Sequence, residues 1–111
     1  MNSPSLAPAP TASADEASRL LEQGLTQHRM GRFTEALRIY ENLLSQFPEH
    51  ADALHLTGEA LYRQGRPKLA LNYVNRAIAK SPHHFYFNTR ATIFMHMGLL
   101  AEAQQDLRRA I

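Results

Sequence analysis

Arg29, Arg63 and His96 are spaced 34 and then 33 residues apart. If the chain repeats at that interval, the three side chains form a line on neighbouring helices packed about 8–10 Å apart. Such a row suits an acidic peptide or a C-terminal carboxylate, which arginine grips through two parallel N–H donors. The same residues have a plainer use. Cations in a last helical turn offset the partial negative charge of unpaired carbonyls, worth about 0.3–1 kcal/mol each. Reversing the charge at Arg63 separates the two: peptide binding is abolished under the first and unchanged under the second.

The six histidines raise the question of a metal. His50 and His84 fall in equivalent turns, with His83 alongside. Turns one helix pair apart are too distant to share Zn–N bonds of about 2.0–2.1 Å. There is no HExxH, and only Glu49 offers a carboxylate next to these histidines. They are expected at solvated turns and helix ends, so no metal is assigned. Ser13, Ser18, Ser45 and Ser81 lie at caps or turns, without an Asp–His pair at readable spacing. No glycine loop is of the phosphate-binding type. The chain has no Cys, which excludes thiol catalysis, disulfides and Cys-ligated zinc. No catalytic residue and no cofactor are assigned, and the chain by itself is not expected to be an enzyme.

The elements that position these residues follow from a repeated pattern. Gly24, Gly31, Ala36, Leu44 and Pro48 fall 34 residues before Gly58, Gly65, Ala70, Ile78 and Pro82. Gly65, Ala70, Ala77 and Ile78 return 33 residues later as Gly98, Ala103, Ala110 and Ile111. A fixed period of this length signals a stacked repeat. Apolar residues at helical spacing predict helices at about 13–30, 33–46, 51–64, 67–81, 84–97 and 99–111. Ser13 and Glu16 have capping-box spacing. Gly31 and Gly65 suit left-handed helix ends, and Pro67 suits a first helical position. Gly24, Gly58 and Ala91, each with its following Ala36, Ala70 or Ala103, are read as the close contact of one hairpin. Leu20, Leu54, Phe87, Tyr40, Val74 and Leu107 are expected to fill the space around those contacts.

The 111 residues suffice for one domain of ordinary soluble composition, 44% hydrophobic and 20% charged, with net charge +2. Residues 1–12, MNSPSLAPAPTA, carry Pro4, Pro8 and Pro10 and no charged side chain. They read as a flexible or polyproline-like tail. They lack the basic start and apolar core of a secretory signal. No apolar run approaches the roughly 18 residues of a membrane span. A cytoplasmic location is expected. With no Lys/Arg-rich run in the sequence, neither nucleic acid nor membrane is expected as a partner.

Taken together, Gly24-x6-Gly31-x4-Ala36-x3-Tyr40-x7-Pro48 and Gly58-x6-Gly65-x4-Ala70-x6-Ala77-x4-Pro82 resemble the tetratricopeptide repeat. A third, shorter copy keeps Ala91-x6-Gly98-x4-Ala103-x6-Ala110. The resemblance covers about 15–111, with copies at about 15–48, 49–82 and 83–111. It implies an all-α fold: a right-handed α-solenoid of three helix-turn-helix hairpins, six helices in all, whose first helices line a concave groove. Carried over residue by residue, that groove presents Leu21, Leu25, His28 and Arg29, then His55, Glu59, Tyr62 and Arg63, then Asn88, Thr92, Met95 and His96. The implied function is a scaffold that binds a peptide or segment of another protein. The alternative is the N-terminal repeat region of a larger enzyme, of glycosyltransferase or sulfotransferase type, used for substrate-protein binding or dimerisation. Relatives that clamp the C-terminal carboxylate of cytosolic chaperones do so with Lys, Asn and Arg. Here Leu21, Leu25, Leu56, Phe85 and Thr89 stand at those places, so that partner is not implied. The Asn ladder of the sugar-transferase superhelix is replaced by Glu22, Leu56 and Thr89.

The third copy is apolar on more than one face, with Phe85, Tyr86, Phe87, Ile93, Phe94, Met95 and Met97 in its first helix. Leu99, Leu100, Leu107 and Ile111 follow, with no polar cap of the kind that repeat arrays need for solubility. These four are expected to form an exposed end that self-associates or is covered by more of a longer chain.

Overall fold

Gly31, Gly65 and Gly98 sit at φ of 76°, 81° and 79°, the left-handed region that a side chain resists. Each ends the first helix of a pair. The amide that follows reaches back five residues: Arg32 to the Gln27 carbonyl at 2.9 Å, Arg66 to Leu61 at 3.0 Å and Leu99 to Phe94 at 2.8 Å. This Schellman closure satisfies carbonyls that the helix leaves unpaired and turns the chain into the next helix. The computed structural model describes residues 13–111. Within them lie α1 (Ala14–Arg29), α2 (Phe33–Gln46), α3 (Ala51–Arg63), α4 (Pro67–Lys80), α5 (His84–His96) and α6 (Leu100–Ala110). The observed ends lie close to those expected from the sequence, and no strand occurs among the described residues. The tail expected at residues 1–12 falls outside them.

The starts are capped by different chemistry. Ser13 Oγ accepts the Glu16 amide at 3.1 Å, one half of the anticipated capping box. The other half is not made, because the Glu16 carboxylate turns outward to Arg19. At α3 and α5 the cap is a histidine. His50 Nδ1 accepts the Ala53 amide at 3.2 Å, and His83 Nδ1 accepts the Phe85 amide at 3.3 Å. The structural counterpart of His50 is therefore His83; His84 is the first residue of α5.

Helices α1 and α2, α3 and α4, and α5 and α6 form three antiparallel hairpins, stacked as a right-handed α-solenoid. Close approach depends on the missing side chain at Gly58. A Cβ there would stand 2.5 Å from Val74 Cγ2 and 2.9 Å from the Ala70 carbonyl oxygen. At Gly24 the occupant is the ring of Tyr40 rather than Ala36. Ala36, Ala70, Ala91 and Ala103 are all buried. Each buried cluster draws on two hairpins: Leu20 and Leu43 with Ala53, Ala36 and Tyr40 with Ala60, and Leu61, Ala70 and Val74 with Ile93. One core thus runs the length of the stack. Leu107 departs from expectation. It is exposed, and Asp106 turns inward to meet Arg90 instead.

Candidate partner-binding groove

The first helices α1, α3 and α5 carry the twelve residues proposed for the groove. Their side chains divide into those that face solvent and those that join one hairpin to the next. The second group is larger than the sequence suggested.

His28 is the clearest joint. Its side chain is only 9% exposed. Nε2 lies 3.3 Å from Glu59 Oε1 on α3, and Nδ1 lies 3.0 Å from the Tyr40 hydroxyl on α2. A carboxylate only accepts, so Nε2 carries the proton and Nδ1 accepts from Tyr40. The bond from His28 holds the Glu59 carboxyl below its usual pKa. Burial pushes the Tyr40 hydroxyl up, and Glu59 adds to that.

Between the second and third hairpins the joints recur at a fixed interval. His55 Nε2 lies 2.6 Å from Thr89 Oγ1, and the Tyr62 hydroxyl lies 3.2 Å from His96 Nδ1. The Tyr86 hydroxyl donates to the Asp52 carboxylate. Burial of the His55 ring, which packs 4.7 Å from Tyr86, lowers its pKa, only partly offset by Glu59 and Asp52. Every one of these pairs is 34 residues apart. That is the spacing of facing groups on successive copies, and it was available in the sequence to anyone pairing donors with acceptors at the repeat interval. His28 and His55 thus correct the expectation that the histidines sit at solvated turns and helix ends.

The rest of the proposed set is open. Arg29, Arg63, Asn88, Thr92, Met95 and His96 are exposed; Leu21 and Leu25 are half-buried, Leu21 packing between the first two hairpins. Among the described residues no carboxylate lies within ion-pair distance of Arg29 or Arg63. The Arg63 guanidinium stands 4.9 Å over the Phe33 ring, which orients it without neutralising it. The third member of the expected basic line, His96, is tied to Tyr62 by hydrogen bond and edge-on ring contact. A cavity of about 200 Å³ opens between α3 and α5, lined by Glu59, Tyr62, Arg63, Thr89 and Thr92. It offers hydroxyl, carboxylate and guanidinium groups, a mixture suited to the amides of an extended peptide. No group of three or more His, Asp or Glu placed to hold a metal occurs among the described residues.

Leu21, Leu25 and Leu56 are half-buried, Phe85 is exposed, and Thr89 is engaged by His55. None of these supplies the charged clamp considered above.

Residues 15–84 match the family model described as tetratricopeptide repeat. No curated protein sequence matches the chain significantly. Among solved structures, the second TPR of Spaghetti (RPAP3), bound to the HSP90 peptide SRMEEVD, superposes with a TM-score of 0.79 at 20% identity, covering 85% of this chain and 88% of that one. The type III secretion translocator chaperone SycD of Yersinia enterocolitica superposes with a TM-score of 0.82 at 19% identity over 88% of this chain and 74% of that one. SycD in complex with a peptide of the translocator YopD does so at 0.82 and 19% over 91% and 78%. At these identities the likeness is one of fold. The family model spans more than half of the chain, over the positions where the glycines, alanines and prolines recur. This chain belongs to the tetratricopeptide repeat family.

Proposed function

We propose that the chain is a non-catalytic protein-interaction scaffold, acting in the cytoplasm, whose groove takes an extended peptide with a carboxylate near Arg29 and Arg63. The observation that carries this reading is the exposure of two unpaired arginines on adjacent first helices, beside a polar cavity. A guanidinium already oriented by an aromatic face loses less freedom on gripping a carboxylate. Two neighbours of the same fold are peptide complexes, the RPAP3 repeat with an HSP90 peptide and SycD with a YopD peptide. They support the mode of binding, and the specificity argued here rests on this chain's own residues.

The test is an amide-shift titration with short extended peptides that differ only in bearing Glu or Gln at one central position. Shifts clustered at residues 29, 63 and 89–96 for the Glu peptide, lost in Arg63→Glu, are expected. Equal response to both peptides, or an unchanged response in Arg63→Glu, returns these arginines to the role of helix-end cations. A Tyr62→Ala/Arg63→Ala double substitution provides a second check on the same surface.

A further inference from the structure

The cations of this chain are not spread evenly over the solenoid. Arg19 pairs with Glu16, Arg38 with Glu35, Lys80 with Glu49, and Arg90 and Arg109 with Asp106. Seven Lys and Arg side chains have no such partner among the described residues. Five of them, Arg29, Arg32, Arg63, Arg66 and Lys68, stand where a first helix turns into a second. In this stack those turns share one edge, because the hairpins are in phase. The carboxylates of the helical turns flanking them are Glu35, held by Arg38, Glu102, and the half-buried Glu59 held by His28. The opposite edge, where one hairpin passes to the next, is acidic in balance, with Asp15, Glu16, Glu49 and Asp52.

The same edge exposes apolar side chains. Met30 is 55% exposed in the first turn, Leu99 38% and Leu100 61% at the third. An edge for a polyanion alone has no use for them. Cations in a row with methionine and leucine at the tips match an anionic bilayer, in which headgroups meet the arginines and short apolar side chains enter the acyl boundary. None of the described helices is long and apolar enough to cross a membrane, so the contact is peripheral. We infer that the edge formed by the intra-hairpin turns, centred on Arg32, Arg66 and Lys68 with Met30, Leu99 and Leu100, docks on anionic lipid surfaces. The groove stays open on the adjacent face. The sequence conceals this patch because its members lie a full repeat apart, and no window of the chain is rich in Lys and Arg.

Vesicle co-sedimentation tests the inference with the 111-residue chain. The vesicles are phosphatidylcholine alone or phosphatidylcholine with about one-third phosphatidylserine. Partitioning is expected only with phosphatidylserine and should fall as salt rises. The double variant Arg32→Gln/Arg66→Gln should lose about 30-fold in partition coefficient, and Leu100→Ser about tenfold. Arg108→Gln, a cation away from this edge, should bind unchanged. Helical circular dichroism confirms that each variant is folded. Absence of partitioning to either vesicle overturns the inference. So does lipid binding that Arg32→Gln/Arg66→Gln leaves intact. Binding of a single-stranded oligonucleotide that is indifferent to Leu100→Ser, without vesicle binding, assigns the edge to nucleic acid instead.

Discussion

Arg90 holds Asp106 at two points, Nε to Oδ2 at 2.8 Å and Nη2 to Oδ1 at 2.8 Å, although Asp106 is only 1% exposed. Nη1 of the same guanidinium reaches Asn75 Oδ1 on α4 at 2.9 Å. The rings of Phe87 and Phe94 flank it, with centroids at 5.6 and 5.7 Å. One arginine therefore fastens α5 to α6 and to the preceding hairpin. Removing one member strands a charge in a poorly solvated place. Asp106→Ala should lower unfolding free energy by about 3 kcal/mol, the low end for a broken buried pair, because Arg90 keeps some contact with water. Adding Arg90→Met should recover part of that loss. Urea denaturation of the single and double variants measures both.

Gly58→Ala sets two effects against each other. A helical alanine gains about 1 kcal/mol over glycine. The added methyl must intrude on Val74 and on the Ala70 carbonyl, and overpacking of this kind costs about 1–3 kcal/mol. A carbonyl inside a helix cannot swing away as a side chain can. A net loss of about 1 kcal/mol is expected from these ranges, and thermal denaturation would show it as a lowered midpoint. A raised midpoint would mean that the hairpin widens freely.

The second and third hairpins share the Tyr86–Asp52 bond. A hydrogen bond to a charged group contributes about 1.5–3 kcal/mol. Tyr86→Phe keeps the ring packed beside His55 and removes only the hydroxyl. The loss expected is about 1.5 kcal/mol, since Asp52 is exposed enough to recover water. Hydrogen exchange should report it as faster opening of α5 and α6 than of α1 and α2.

Acidification should weaken the fold through His55. Its folded pKa is lowered by burial from the ordinary 6.5. The unfolded chain therefore takes up the proton first, and stability falls as pH drops below about 6.5 towards the folded value. Above 6.5 neither state is protonated and His55 adds no pH dependence. Glu59, also lowered in the folded state, contributes stability that is lost only at more acid pH, below 4.5. Denaturation midpoints at a series of pH values should fall between neutrality and mild acid, with a shallower fall in His55→Asn.

How much of this was legible beforehand depends on the kind of information. Helix limits were readable because Gly31, Gly65 and Gly98 are local devices, each acting within its own turn. The burial of Ala36, Ala70 and Ala103 was readable because the period places them in register. The buried polar joints were not read. Leu, Val and Ala announce burial by type, whereas His28, Asp52 and Asp106 do so only once their partners are known. The partners lie on other helices: Tyr40 and Glu59 for His28, Tyr86 for Asp52, Arg90 for Asp106. The groove was identified as a surface. Which of its members remain available to a partner depended on these cross-hairpin bonds. Leu107 was expected both to pack and to lie open; the inward turn of Asp106 decided for exposure.

The 34-residue interval of the joints has a mechanical corollary. Each bond fastens a hairpin to its immediate successor, so the stack is sewn like pages at a spine, one leaf to the next. A strain introduced at α1 reaches α5 by flexing the middle leaf. The central hairpin is thus the hinge of the molecule, and the curvature with which it rests is the curvature that any cargo laid across all three leaves must match.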